Sequence, residues 1–248
     1  MQNKFKGMYF AVFDGHVGWQ VANACSKKLH LYIDEQLTSN DMSDDKVKQA
    51  ITKGFEKMEN ELLQIAKAGY ENGYPQAAYA GACALVAIVH NNKLYVANAG
   101  DSKGVLLRQK CNKLEMVKIS KTFSANKKYE QDRLKRLFPK ERDIIHCRSK
   151  TACYVKGGLM PTRSLGDFRL KYREFNFHEF GRDHGFRKSI PFFTGPYVSS
   201  EPDIQVFDLT PSDRYLVLAS DGLWDEISRK QAAEIATEAQ EEAYSKNE

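Results

Sequence analysis

The chain has 248 residues, with 42% hydrophobic and 28% charged residues. That balance excludes disordered, collagen-like and filamentous classes and leaves one large domain or two small ones, with enough chain to bury a core unaided. The longest apolar run, residues 80–89, is too short to span a bilayer, so no membrane span is expected. The formal net charge is +5, unevenly spread: residues 102–173 carry 20 Lys or Arg against 6 Asp or Glu. A stretch so basic attracts phosphorylated or nucleic-acid partners, or is simply a solvated lysine-rich face. It shows no base-stacking motif, so the solvated face is favoured and nucleic acid is not expected as a partner.

From the N-terminus, residues 8–13 form an apolar run that ends at Asp14-Gly15, read as a buried strand meeting a turn. Residues 18–37 follow with Val21, Cys25, Leu29 and Ile33 on one helical face. Residues 44–68 repeat the pattern with Val47, Ile51, Phe55, Met58, Leu62 and Ile65. Two amphipathic helices in succession need a shared apolar surface, and strands over 79–90, 93–97 and 103–109 can supply it. Asn91-Asn92 between the first two is a hairpin signal. A helix over 126–137 stops before Pro139. Residues 139–202 hold five of the seven prolines and read as loop-rich. Strands over 204–209 and 214–220 flank a turn, and Ser228 caps a closing helix. The simplest account is one α+β domain built on antiparallel sheets.

The cysteines at 25, 83, 111, 147 and 153 are odd in number and lack zinc or CxxC spacing. They are expected as reduced, buried thiols in an intracellular compartment. No signal-peptide core precedes the first strand. Because the chain starts so close to that strand, an earlier segment is expected. A transit peptide could lie in it, which leaves cytoplasmic or mitochondrial placement unresolved.

VFDGH (12–16) and LASDGLWD (218–225) share one design, an Asp-Gly at the end of an apolar strand. A carboxylate leaving a buried strand needs compensation. Two such corners face to face would make an oxygen-rich site suited to Mg²⁺ or Mn²⁺. A third acidic turn, Ala99-Gly100-Asp101-Ser102, could join them. Asp-Gly is also a common turn, so pattern alone leaves the metal site undecided.

Four strings carry a resemblance: YFAVFDGHVGWQVA, GACALVAIVHNNKLYVANAGDSKGVL, VKGGLMPTRSLGDFRLK and VSSEPDIQVFDLTPSDRYLVLASDGLWDEIS. In order and spacing they resemble the metal-dependent protein phosphatases of type 2C. LMP-x-R-x-x-GD and the insertion ending in TGPYVSSEP look most like the pyruvate dehydrogenase phosphatase branch. The resemblance implies two antiparallel sheets packed as a sandwich and flanked by helix pairs, with a two-metal centre at one end. In that picture residues 1–248 are a single phosphatase domain that lacks the family's first and last strands.

Carried over, Asp14 would bridge two Mg²⁺ or Mn²⁺ ions, the Gly15 carbonyl and Asp221 would be further ligands, and Asp101 with Asp225 would match a looser third-metal site. His16 would be the general acid. Water activated between the ions would attack phosphorus in line, with no phosphoenzyme and no nucleophilic cysteine. Arg163 and Asp167 of TRSLGD are expected to be structural, holding a turn by an Arg–carboxylate contact. Residues 175–187 would lie in a flap region that selects substrate, and His30, His90, His146, His178 and His184 would be structural or on the surface.

The sequence departs from the family at four places. The opening Arg-x-x-Met-Glu-Asp segment and the closing Asp-Asn pair are absent. Thr122-Phe123 stands where the family has Asp-His, and Val17 replaces the first glycine after the histidine. The expected activity is hydrolysis of phosphoserine and phosphothreonine in proteins. The alternative is an inactive phosphatase-fold subunit that binds within a larger assembly.

Overall fold

The computed structural model describes residues 6–39, 42–111, 113–176, 190 and 192–245. Its centre is β2 (Gly81–His90), a strand apolar on both faces and therefore buried on both. It pairs antiparallel with β1 (Met8–His16) on one side and β3 (Lys93–Ala99) on the other, and β9 (Asp203–Asp208) follows β3. The two-residue β8 (Leu165–Gly166) joins the start of β2 through Gly81↔Gly166 and Ala82↔Leu165. A second sheet has the order β10 (Asp213–Ala219), β4 (Lys103–Lys110), β5 (Lys113–Lys118).

Alternation along β2 divides the core. Ala82, Ala84, Val86 and Ile88 face α1 (Gln20–Asp34) and α2 (Asp44–Glu71), where Cys25, Leu29, Ile33, Val47, Ile51, Phe55 and Met58 meet them. Leu85 and Ala87 face the second sheet and pack with Leu94, Val96, Leu106 and Ile119. The outer face of that sheet, through Val105, Leu107 and Leu114, is covered by Trp224 of α4 (Asp221–Trp224) and by Ala232 and Ala233 of α5 (Arg229–Ser245). The layers therefore run helix, sheet, sheet, helix. A satellite core joins α3 (Lys128–Leu137) to the hairpin of β6 (Ile145–Ser149) and β7 (Ala152–Val155), with Tyr197 and Val198 beneath.

The expected α+β sandwich is present. The Asn91-Asn92 hairpin forms with both residues at positive φ (48° and 56°), and Ser228 Oγ caps α5 by accepting from the Gln231 N–H at 3.2 Å. Four expectations need correction. Asp14-Gly15 is no turn: β1 runs through to His16, because the open backbone of Gly81 and Ala82 continues the ladder opposite His16 and Gly15. β5 was not foreseen, and the loop-rich stretch contains β6, β7 and β8. Cys147 and Cys153 sit opposite each other in the β6–β7 hairpin and are joined as a disulfide; Cys25 and Cys83 are the buried free thiols, and Cys111 is exposed. Phe175 is a core residue against Tyr70 and Tyr172, and residues 177–187 of the expected flap, with His178 and His184, lie outside the described residues.

No described helix is long and apolar enough to cross a membrane. Part of the basic stretch is paired within the molecule: Arg108 with Asp213, Arg133 with Glu130, Lys156 with Glu141 and Lys171 with Glu59.

Candidate active site

The ends of β1 and β10 bring two carboxylates from different sheets to one cleft. Asp14 is in register with Cys83 near the end of β1, and Asp221 opens α4 directly after β10. Asp101 reaches the same cleft from the turn after β3, its Oδ1 accepting from Cys83 Sγ at 3.3 Å. The cleft has a volume of about 360 Å³, and its far wall is Gly158, Leu159, Met160 and Pro161.

The electrostatics follow from that crowding. Burial, and then the facing Asp221 carboxyl within hydrogen-bonding reach, push the Asp14 carboxyl up to about 6. Burial also raises Asp101, with Asp221 adding repulsion. Burial disfavours a charged His16, but the carboxylates of Asp167, Asp14 and Asp101 outweigh it and raise the imidazole above its ordinary value. Among the described residues, no group of three or more His, Cys, Asp or Glu side chains closes a cage around a single point.

His16 Nε2 lies 2.7 Å from Asp167 Oδ2, and the Ser164 hydroxyl donates to the same oxygen at 2.5 Å. This corrects the structural reading of TRSLGD. Arg163 does not reach Asp167; it donates to the Glu201 carbonyl at 2.5 Å and lies 4.1 Å above the Phe123 ring. Asp167 is instead a wall of the cleft, brought to His16 because β8 places Gly166 opposite Gly81. Asp225 ends α4 near Lys103 and is not among the residues that line the cleft. Of the remaining histidines, His90 is buried with Nδ1 2.6 Å from the Lys6 carbonyl, His30 sits by the Tyr9 ring, and His146 is exposed.

Thr122 and Phe123, at the family's Asp-His position, serve as packing. Phe123 is fully buried, and its N–H donates to the Gly100 carbonyl at 2.9 Å. Val17 takes the left-handed φ of 61° that a glycine would adopt without strain. Sequence reasoning missed Arg169, which is 5% exposed, lines the cleft and lies over the Tyr79 ring at 5.3 Å. Its place two residues after Asp167 is the signal that could have found it.

A family model described as Protein phosphatase 2C matches residues 2–248. The chain belongs to the protein phosphatase 2C family. It is 35% identical over 235 residues to probable protein phosphatase 2C 48 of Arabidopsis thaliana, covering 92% of this chain and 58% of that one. Probable protein phosphatase 2C 67 of the same plant is 31% identical over 236 residues, 93% of this chain and 60% of the relative. Probable protein phosphatase 2C 78 of Oryza sativa subsp. japonica is 34% identical over 237 residues, 92% and 56%. The chain thus spans less than two thirds of the length of these curated relatives. Protein phosphatases 2C generally depend on Mg²⁺ or Mn²⁺, and the sandwich with its acidic cleft is consistent with that family.

Proposed function

We infer that this chain hydrolyses phosphoserine and phosphothreonine in proteins, using Mg²⁺ or Mn²⁺ held in the cleft. The observation that carries the reading is the meeting of Asp14, Asp101, Asp221 and His16, from two sheets, in one pocket. The donor set fits the ions. Asp14 and Asp221 offer hard carboxylate oxygens, and the Gly15 carbonyl is adjacent. Mg²⁺ keeps several waters and needs only one or two carboxylates, so a complete protein cage is not required. Burial raises the Asp14 carboxyl and the Asp221 charge adds to it, and a bound cation would relieve that repulsion. Asp14, the Gly15 carbonyl and Asp221 would hold the ions, with Asp101 at a looser further site.

Bound divalent cations supply water activation and neutralise charge on a phosphoryl group. The chain's own groups do the rest. His16, which the Asp167 carboxylate holds at Nε2 in the cleft, would carry the proton that the leaving seryl or threonyl oxygen needs. Arg169 adds a guanidinium to the wall, suited to phosphoryl oxygens. Leu159, Met160 and Pro161 give the cleft an apolar stretch of lining.

The second reading, an inactive phosphatase-fold subunit within a larger assembly, has one observation in its favour. Phe123 packs in the core where the family places a polar pair. Turnover of a phosphothreonine peptide by the full natural chain, in Mn²⁺ and in chelator, separates the two. Mn²⁺-dependent turnover lost in Asp14→Asn and Asp221→Asn supports the enzyme. A folded protein without turnover in Mn²⁺ supports the assembly subunit.

A further inference from the structure

The Asp167 carboxyl group is almost fully buried, its side chain 5% exposed, and three features converge on it. Asp167 has a left-handed backbone (φ 54°), which places its N–H on the Ala80 carbonyl at 2.9 Å. Gly166, also at positive φ, presses its Cα so close to Ala80 that a Cβ there would fall 2.5 Å from the Ala80 oxygen. Gly81 leaves the gap through which the pair meets. A Cβ at position 81 would stand 2.1 Å from Asp167 Oδ2 and 2.5 Å from His16 Nε2. A carboxylate needed only to brace its turn would be served by Ser164; here the strand opposite is also cleared so that the carboxylate touches an imidazole 151 residues away.

We propose that Asp167 is a positioning residue for His16, holding the ring through Nε2–H so that Nδ1 is the nitrogen that delivers a proton to the leaving oxygen. The proposal rests on the phosphatase reading for its catalytic consequence, though not for the geometry. In a histidine the hydrogen bond made by one ring nitrogen decides what the other carries. With Nε2–H donated to Asp167, the cationic ring offers Nδ1–H. As water bonds to phosphorus and the phosphorus–oxygen bond to the serine or threonine breaks, the electron pair stays on that oxygen and the Nδ1 proton moves to it. The ring is left neutral, still donating Nε2–H to an ionised Asp167, and solvent restores the Nδ1 proton.

The test compares two substrates and one spectrum, using the full chain. A phosphothreonine peptide leaves as an alkoxide that needs a proton, whereas p-nitrophenyl phosphate leaves as a stable phenolate that does not. Asp167→Asn is expected to lower kcat on the peptide by about 10²-fold, within the range for general acid catalysis, with KM unchanged. On p-nitrophenyl phosphate the loss should be only a few-fold. Ser164→Ala, which removes a donor to the same carboxylate, should show a smaller loss with the same substrate preference. It also serves where the Asn variant fails to fold. Equal losses on both substrates overturn the proposal. Independently of turnover, a long-range ¹H–¹⁵N imidazole spectrum of the metal-free protein, recorded at a pH high enough for the ring to be neutral, should show His16 as the Nε2–H tautomer, shifting in either variant. An Nδ1–H tautomer, or one that neither variant moves, overturns the pairing. If wild-type chain turns over neither substrate in Mn²⁺, the phosphatase reading fails and the spectrum alone decides the pair.

Discussion

Glu59 of α2 and Lys171 form an ion pair buried beneath the segment that carries Asp167. Glu59 Oε2 also accepts the Gly166 N–H at 2.9 Å, and Lys171 Nζ donates to the Ser164 carbonyl at 2.8 Å. The pair thus ties both flanks of β8 to the helix layer and fixes the angle at which Asp167 enters the cleft. Burial raises the Glu59 carboxyl, and Lys171 works against that rise.

Removing one partner strands a buried charge, which typically costs about 3–5 kcal/mol, whereas replacing both with apolar residues costs less. Glu59→Gln and Lys171→Met are each expected to lower unfolding free energy on that scale in urea titrations. Glu59→Leu combined with Lys171→Met should recover part of the loss. Full recovery is not expected, because the Gly166 N–H and Ser164 carbonyl still lose their partners.

How much of this was legible depends on range. The helix pair, the Asn91-Asn92 hairpin and the central apolar strand follow from periodicity and turn chemistry that act within a few residues. Asp14-Gly15 carried a turn signal that tertiary pairing overrode, since the ladder to β2 continues opposite Gly81. β5 was hidden because Lys113, Glu115 and Lys118 leave its period-two pattern mostly polar at an exposed edge. Cys147 and Cys153 were six residues apart across an unrecognised hairpin, which is the spacing that sets two side chains face to face. For the cleft, strand-end Asp-Gly corners were the signal that singled out Asp14 and Asp221, which both line it. Asp167 was misread because Arg163 stood nearby in sequence, while its partner His16 is 151 residues distant and only the β1–β2–β8 register brings them together.

Val17 is a β-branched residue at φ 61° and is 56% exposed, so packing offers little return for the conformation. Left-handed backbone costs an L-residue about 1–2 kcal/mol, and glycine gives back about 0.5–1 kcal/mol through unfolded-state entropy. Val17→Gly is therefore expected to stabilise the protein by about 0.5–1 kcal/mol, read as a rise in the urea midpoint with unchanged slope. A lower midpoint would show that the Val17 side chain, which lines the cleft, contributes packing that outweighs the strain.

Asp213 joins β10 to β4. Burial alone would raise its carboxyl, but hydrogen bonds from Arg108 Nε at 2.7 Å and from the Thr210 N–H at 2.8 Å hold it below the ordinary carboxylate range. A depressed acid contributes stability that is fully present above its unfolded value of about 3.9 and is lost as pH falls through its lower folded value. The Tm difference between wild type and Asp213→Asn should be constant from pH 7 to about pH 5 and close steadily on further acidification. A difference that widened toward low pH would contradict the assignment.

Asp14 and Asp221 oppose each other across the cleft with burial and like charge acting together, so the metal-free site works against the fold. Neutralising one of them removes that repulsion and also a cation ligand, and the two effects have opposite signs in one experiment. Asp14→Asn should raise the Tm of the chelator-treated protein above that of wild type. Added Mn²⁺ should reverse the order: a ligand at 100 times its Kd contributes about 2.7 kcal/mol to a protein that binds it only when folded. Wild type should gain on that scale in a calorimetric scan, and Asp14→Asn should gain little. Asp101→Asn, at the looser further site of the proposed centre, should keep most of the Mn²⁺ response. If wild type and Asp14→Asn respond equally to Mn²⁺, the ion binds elsewhere and the β1 and β10 strand ends are not its site.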